Sequence, residues 1–280
     1  MTNDTSTTLS QEQLEEVFRL IGHSDTVEIK LVVPMDAHRA TFRSLELDPI
    51  EAELRQVFFF DTPDMALSAA GVVVRARRNQ GGGGDTVVKL RPVEPAMIDK
   101  DLRRSESFKV EVDVLPGGFV CSASAKGRCT AQEVLAVAAG DAALKSLFSR
   151  EQRAFFAEHA PAEFKLDALV PFGPTFVLKT KIRPQKLDRR LTVEMWLFPD
   201  GSRNVEVSTK AEPEEAFQVA GALRAFLGKQ GIEIVGGQQT KTKAAMEFFQ
   251  AEMKPARRKV RERAAHAQGA PRHASGIDQS

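Results

Sequence analysis

Charged residues that alternate with apolar ones recur along this chain, and they are its clearest sign of chemistry. The pattern covers residues 27–31, 74–77, 87–91, 108–113, 177–183, 193–195 and 205–208. Side chains of a β-strand point alternately to opposite faces, so each stretch predicts a strand with charges on one face and aliphatic residues on the other. If the charged faces converge, they enclose a basic cavity with a few carboxylates. Such a cavity suits a polyanion and a divalent cation.

The candidate ligands are the basic side chains and carboxylates that share one face of each predicted strand. Arginine offers a planar fork that meets two phosphate oxygens, whereas lysine offers a point charge. Magnesium needs only one or two protein carboxylates besides water and phosphate oxygens. The predicted phosphate-binding residues are Lys30, Arg75, Arg77, Lys89, Arg91, Lys181 and Arg183, and the predicted metal ligands are Glu28, Glu111, Glu194 and Glu206.

Structural interpretations exist for the same basic residues. Arg75 and Arg77 fit a solvated sheet face, although so many like charges on one face would repel one another. Glu28 and Lys30 fit a surface ion pair, which stabilises a protein by less than about 1 kcal/mol. Both interpretations stay open at the level of sequence.

The remaining acidic residues also have structural alternatives. Glu111, flanked by Lys109 and Asp113, fits a ladder of charges across neighbouring strands. Glu194 fits a surface position as well as it fits a ligand. Asp61 precedes Thr-Pro, and the sequence predicts that it accepts hydrogen bonds from backbone amides of a turn at the end of a strand.

Composition limits the class of protein. The chain has 280 residues, of which 42% are hydrophobic and 28% charged, as in ordinary globular proteins, and its net charge is +1. Any affinity for anions must therefore come from local charge. No apolar run reaches the length of a membrane span, and the two cysteines, Cys121 and Cys129, lie in a stretch that reads as a loop. We expect a cytoplasmic protein with reduced thiols.

The chain divides into three predicted parts. Residues 1–22 form a leader and a short helix capped by Ser10, and residues 23–253 form one domain with a helical insertion at 115–165. Residues 254–280 read as a disordered basic tail, for which nucleic-acid binding remains a minor alternative. Four glycines at 81–84 predict a hairpin connection, because no Lys-Ser/Thr pair follows them as in a phosphate loop.

The ordered series of these motifs resembles the CYTH family, also called triphosphate tunnel metalloenzymes. Residues 27–30 are similar to the second half of the family's Glu-x-Glu-x-Lys signature. Residues 59–77 resemble its second block, in which an aromatic-Asp-Thr strand end leads through Leu and Gly into an Arg-x-Arg strand. The remaining matches are Lys89-Leu90-Arg91, Glu206, and Thr242-Lys243 before an aromatic-containing helix.

This resemblance implies an α+β protein built on an eight-stranded antiparallel barrel with flanking helices. It further implies a tunnel that binds a triphosphate compound with Mg²⁺ or Mn²⁺ and hydrolyses it, with Glu194 and Lys30 as the catalytic residues and Lys243 as a further phosphate ligand. Inorganic triphosphate is the favoured substrate, and polyphosphate, nucleoside triphosphates and thiamine triphosphate are alternatives. Adenylate cyclase chemistry also occurs in the family.

One departure bears on catalysis. The first glutamate of the family signature corresponds to Thr26, and the late strand has Asn204 and Ser208 on either side of Glu206. Fewer carboxylates leave binding of one metal ion possible and place a two-metal mechanism in doubt. The alternative is a polyphosphate- or nucleotide-binding module with weakened catalysis.

Overall fold

Nine β-strands form the framework of the protein. The computed structural model describes residues 10–232 and 245–251. The strands are β1 Thr26–Val33, β2 Glu53–Asp61, β3 Val72–Asn79, β4 Gly83–Leu90, β5 Phe108–Leu115, β6 Gly118–Thr130, β7 Val170–Ile182, β8 Leu191–Leu197 and β9 Arg203–Ala211.

These strands close into a barrel in the order β1-β5-β6-β4-β3-β2-β7-β8-β9, and β9 pairs with β1. Strands β1 and β5 run parallel, while the other neighbouring pairs are antiparallel. The predicted barrel of eight antiparallel strands is therefore wrong in its strand number and in the direction of one pair. The architecture of a closed barrel with flanking helices is confirmed.

Strand β6 is the one that the sequence prediction lacks. Its residues fall where the sequence predicts a loop and the start of a helical insertion, because small Ser, Ala and Gly side chains give a weak strand signal. Cys121 and Cys129 both lie on this strand, and both thiols are free. Eight residues of extended chain span about 26 Å, so these two cysteines cannot form a disulfide with each other.

Seven α-helices accompany the barrel in the range 10–232, and residues 245–251 are also helical. They are α1 Gln11–Gly22, α2 His38–Ser44, α3 Ala66–Ala69, α4 Lys100–Arg103, α5 Ala131–Ala139, α6 Arg150–His159 and α7 Ala216–Lys229. Short 3-10 helices cover Met35–Ala37, Pro49–Glu51, Pro95–Met97, Leu144–Leu147, Leu166–Ala168 and Pro213–Glu215. Within the described ranges, no helix is long and apolar enough to cross a membrane.

Local signals account for several helix boundaries. Ser10 caps α1 as predicted, in a reciprocal pair with Gln13. Within the helical insertion expected at 115–165, α5 ends at Ala139 because Gly140 adopts a left-handed φ of 86°. Asp99 caps the short α4, which precedes β5.

The outward faces of the strands form the main core with the helices. Val27 and Ile29 of β1 and Val112 of β5 are buried in one cluster with Val17 of α1 and Leu223 of α7. These residues alternate with the charged ones, so the opposite face of each strand turns towards the barrel interior. The division of faces predicted from the sequence pattern is confirmed for these strands.

Asp61 anchors the connection from β2 to α3. Its carboxylate accepts hydrogen bonds from the backbone amides of Thr62 (2.6 Å), Leu67 (3.0 Å) and Ser68 (2.9 Å), and its side chain is buried. The predicted turn role of Asp61 is confirmed.

We predict that Asp61→Ala lowers the free energy of unfolding by about 2–3 kcal/mol, because the substitution leaves buried amides without acceptors. Urea denaturation measures the loss. Asp48→Ala is the matched control, since exposed Asp48 accepts one amide hydrogen bond, from Ile50, and its loss costs about 1 kcal/mol or less. Equal, small losses for both variants would contradict the anchoring role.

Candidate active site in the barrel interior

The strand register brings most of the predicted ligands to the inner face of the barrel. Cross-strand pairs set Arg77 beside Asp85, Glu194 beside Lys179, and Glu194 opposite Glu206. Of the predicted residues, the interior face carries Glu28, Lys30, Arg75, Arg77, Lys89, Glu111, Glu194 and Glu206, and Arg91 reaches it from the end of β4.

Asp113 of β5 lies at the centre of one group of cations. Its Oδ1 is 2.7 Å from Lys30 Nζ, and its Oδ2 is 3.6 Å from Lys89 Nζ and 3.5 Å from Arg91 Nη2. The side chain is only 1% exposed. Burial alone would raise the pKa of Asp113, but the three cations outweigh it and hold the pKa well below its usual range.

The three cations around this carboxylate differ in their electrostatic balance. Burial alone would lower the pKa of Lys30, yet the carboxylates of Asp113 and Glu28, the latter 3.2 Å away, raise it above its usual value. Lys89 is the opposite case, because burial together with the charges of Lys30 and Arg91 lowers its pKa to about 8. The positive charge of this group is therefore only partly matched by protein carboxylates.

A second group surrounds Arg75 on β3. Burial, together with the nearby charge of Arg77, lowers the pKa of Arg75 to about 10. Its Nε is buried and has no hydrogen-bond partner among the described residues. Arg77, by contrast, pairs with Asp85 at 2.8 Å. Arg75 therefore presents an unsatisfied donor inside the barrel, which an anionic ligand could satisfy.

Glu194 is held in place by its neighbours. Lys179 Nζ is 3.6 Å from its Oε1, and Trp196 Nε1 donates a hydrogen bond to its Oε2 at 3.3 Å. Glu206, its cross-strand partner, is buried. Glu28 accepts a hydrogen bond from Ser208, the interior neighbour of Glu206 two residues along β9.

Two adjacent carboxylates, Glu194 and Glu206, are the best candidates to hold a divalent metal ion. The described residues contain no cluster of three or more His, Cys, Asp or Glu side chains placed to hold a metal. Magnesium can bind through one or two carboxylates when phosphate oxygens and water complete its shell, so the pair fits a metal that arrives with a phosphate ligand.

Glu111 fits a metal less well. It forms ion pairs with Lys210 and, at 3.6 Å, with Lys126, and these lysines hold its pKa below the usual value although burial opposes them. The ladder interpretation of Glu111 therefore describes its surroundings better than the ligand interpretation.

Two predicted phosphate ligands, Arg183 and Lys181, are exposed at the end of β7. Arg183 lies one residue beyond β7, is 70% exposed and pairs with Asp188 at 2.6 Å. Its predicted place in the tunnel is wrong, because the strand alternation stops at Ile182. Lys181 is exposed near the end of β7, and Lys243 lies outside the described residues.

Several interior charges are absent from the sequence prediction. They are Arg55, Asp85, Asp113, Lys126, Lys179 and Lys210. Parity could have found two of them, since Lys179 and Asp113 lie two residues from Lys181 and Glu111 on the same strands. Lys126 carries no such signal, because the small residues of β6 do not predict a strand.

Apolar side chains fill the interior at one end of the barrel. Phe59 and Trp196 stack there with ring centroids 6.5 Å apart, and both pack in one buried cluster with Phe172 and with Met246 and Phe249 of the 245–251 helix. The C-terminal part of β2 and the start of β7 meet at this end. Phe59 pairs across strands with Arg75, so this cluster forms an apolar wall beside the charged groups.

Comparison with known proteins shows a shared fold. No family model and no curated protein sequence matches the chain. Among solved structures, a candidate adenylyl cyclase from Hippeastrum with a dominant triphosphatase activity is similar with a TM-score of 0.58 and 19% identity, covering 78% of this chain and 93% of its own. A candidate adenylate cyclase from Bacillus halodurans has a TM-score of 0.55 and 14% identity, covering 79% and 97%. The chain has the fold of these proteins.

The charge balance at Lys89 predicts a pH dependence of stability. Below pH 8 the folded and unfolded states both carry the charged ammonium, so its burial cost is fully present. Between pH 8 and the unfolded pKa of about 10.5 the folded state binds fewer protons, and stability rises with pH. Relative to Lys89→Met, the wild type should therefore gain up to about 1 kcal/mol per pH unit in this window.

Urea denaturation at pH 7.5 and 9.5 measures this difference. Lys100→Met, at an exposed lysine of α4, is the control and should track the wild type at both pH values. A wild-type stability that falls relative to Lys89→Met as the pH rises would show that Lys89 is not destabilised by its burial.

Proposed function

We propose that this protein binds a triphosphate compound inside its barrel and hydrolyses the terminal phosphate with Mg²⁺ or Mn²⁺. The observation that carries the proposal is the concentration of incompletely matched cations in the interior, with Arg75 and Lys89 at its centre. Burying such charges is costly unless a ligand of opposite charge is bound there. A linear triphosphate supplies several negative charges.

The basic residues divide the binding task by their chemistry. Arg75, Arg77 and Arg91 offer planar forks for pairs of phosphate oxygens, while Lys30 and Lys89 offer point charges. Lys30 is assigned to the catalytic group, because its charge can stabilise the oxygens of the phosphate under attack. Lys181 and Lys243 remain proposed phosphate ligands.

The metal ion would be held by Glu194 and Glu206, with Glu28 as the next carboxylate. When bound, it would neutralise phosphate charge and polarise the terminal phosphorus–oxygen bonds. The unsatisfied Nε of Arg75 and the adjacency of the two glutamates on β8 and β9 support a site completed by the substrate itself.

Glu194 is the proposed residue that orients the attacking water. Its carboxylate is fixed by Lys179 and Trp196, so a water hydrogen-bonded to it has a defined direction of attack. The water oxygen forms a bond to the terminal phosphorus as the bridging P–O bond breaks. With inorganic triphosphate, the products are orthophosphate and pyrophosphate.

The shared fold supports triphosphate chemistry in general terms. The similar Hippeastrum and Bacillus halodurans structures carry names that refer to triphosphatase activity and to adenylate cyclases. Inorganic triphosphate remains the favoured substrate here, because the described residues show charged groups for phosphate and no evident pocket for a base. Nucleoside and thiamine triphosphates, and adenylate cyclase-type chemistry, are the alternatives.

A second candidate function is a binding module with weakened catalysis. The hydroxyl of Thr26, which stands where the family signature has a glutamate, donates a hydrogen bond to the carbonyl of Ala211 at 3.2 Å. No carboxylate is thus available at this position. A protein of this kind would bind triphosphate or polyphosphate without efficient turnover.

A phosphate-release screen separates the two functions. We expect phosphate release from inorganic triphosphate with Mg²⁺ or Mn²⁺ and none with a chelator, and less from ATP or thiamine triphosphate. A thermal shift with triphosphate but no release at high protein concentration indicates the binding module, because a ligand that binds only the folded state stabilises it. Both functions are excluded if the protein neither releases phosphate nor binds triphosphate in calorimetry at low salt.

Arg75→Ala tests the phosphate assignment. Loss of a charge-assisted contact in a desolvated site should weaken triphosphate binding by about a hundredfold. The melting temperature of the ligand-free protein should stay unchanged or rise, since burial and Arg77 already disfavour this charge. Arg183→Ala, which removes the exposed arginine beyond β7, is the matched control and should leave the affinity unchanged. Unfolding of Arg75→Ala with unaltered affinity would reject the assignment.

A further inference from the structure

Asp113 is a buried charge of the barrel interior, with a side chain only 1% exposed. The proposed metal binding and water activation do not involve it. We infer that Asp113 is a built-in counter-anion that blocks the Lys30–Lys89–Arg91 site to single small anions and thereby selects multivalent phosphate chains. This inference rests on the proposed function for its biological meaning, whereas its physical claim concerns only anion binding at three cations.

The carboxylate of Asp113 lies among three cations, in the position that a bound anion would take. Three cations from two strands converge on one carboxylate, Lys30 from β1 and Lys89 and Arg91 from β4 and its end. The carboxylates of Asp113 and Glu28, the latter 3.2 Å from Lys30, carry two negative charges, so the three cations retain one positive charge. The 2.7 Å contact with the Lys30 ammonium favours the ionised form of the Asp113 carboxylate.

The carboxylate of Asp113 forms a hydrogen bond with only one of its three cations. Oδ1 makes a 2.7 Å hydrogen bond with Lys30, but Oδ2 is buried without a hydrogen-bond partner, since Lys89 and Arg91 lie 3.5–3.6 Å from it. Ion pairs at that distance without hydrogen bonds are weaker than charge-assisted hydrogen bonds. Lys89 and Arg91 therefore keep donors that a phosphate oxygen could take.

Asp113 affects the affinity for a small anion and for a phosphate chain to different extents. Orthophosphate must gain all its affinity at the three cations while a fixed, desolvated carboxylate repels it. Lys89 pairs across strands with Val73, two residues from Arg75, so a triphosphate can also reach the group at Arg75 and Arg77, and the repulsion at one end is outweighed by contacts at the other. Asp113 therefore lowers the affinity for orthophosphate more than that for triphosphate, which also limits inhibition by the product.

Asp113→Asn removes the charge with almost no change of shape. We expect the dissociation constant for orthophosphate, measured by calorimetry on the full-length protein, to fall at least tenfold, because close charge pairs in desolvated sites couple strongly. The dissociation constant for triphosphate should change by a smaller factor. The ratio of the dissociation constant for orthophosphate to that for triphosphate therefore decreases. Asp188→Asn, which makes the same change in net charge at the exposed partner of Arg183, should alter neither constant.

A purely structural ion pair gives different results. If Asp113 serves to orient Lys30, then Asp113→Asn weakens orthophosphate and triphosphate alike, and the inference is wrong. Orthophosphate binding tests this inference separately from the proposed function. A wild type that neither binds nor hydrolyses triphosphate refutes the proposed function. A tenfold gain in orthophosphate affinity in Asp113→Asn still establishes Asp113 as the counter-anion.

Folding provides the second measurement, since Asp113→Asn leaves three cations without their anion. We expect a lower melting temperature that orthophosphate restores at concentrations where sodium chloride of equal ionic strength does not. If the variant is unfolded in low salt, recovery of the folded state by orthophosphate, and not by chloride, supports the inference. Failure of orthophosphate to restore folding overturns it.

Discussion

Charges enclosed by a closed barrel must be matched from within, and this requirement governs the rest of the structure. Asp113 meets part of it by contacting Lys30, Lys89 and Arg91, and Asp85 does the same for Arg77. The match is incomplete, as the lowered pKa values of Lys89 and Arg75 indicate. Stability must then come from elsewhere, and the outward faces of the same strands supply it by packing against the helices.

The packing of helix α6 against the barrel depends on a small residue in β6. Gly127 of β6 lies where any side chain would overlap the amide of Gln152 and the hydroxyl of Thr86. Gln152 itself donates a hydrogen bond to the carbonyl of Ala125 and accepts one from Thr86. Helix α6 is thereby tied to β4 and β6. The small side chains that conceal β6 in the sequence are thus those that let this helix approach.

The proposed function requires an interior whose donors are in place before any ligand arrives. Donors fixed by the strands need little reorganisation when phosphate binds, which is the usual source of electrostatic stabilisation in phosphoryl transfer. The apolar cluster of Phe59, Trp196 and Phe249 fills one end. Phe59 pairs across strands with Arg75, and Trp196 donates a hydrogen bond to Glu194, so this cluster borders the charged groups of the candidate site.

Strand alternation alone determined much of this protein, because the face on which a side chain lies depends only on its position within its own strand. Lys30, Arg75, Arg77 and Lys89 could be assigned to one face in this way, and the turn role of Asp61 followed from its neighbours. Only the tertiary structure decided which strands are adjacent and in which register. It brought Asp113 to three cations, revealed β6 between β5 and β4, and left Arg183 outside, because strand ends and long-range pairing depend on closure of the whole barrel.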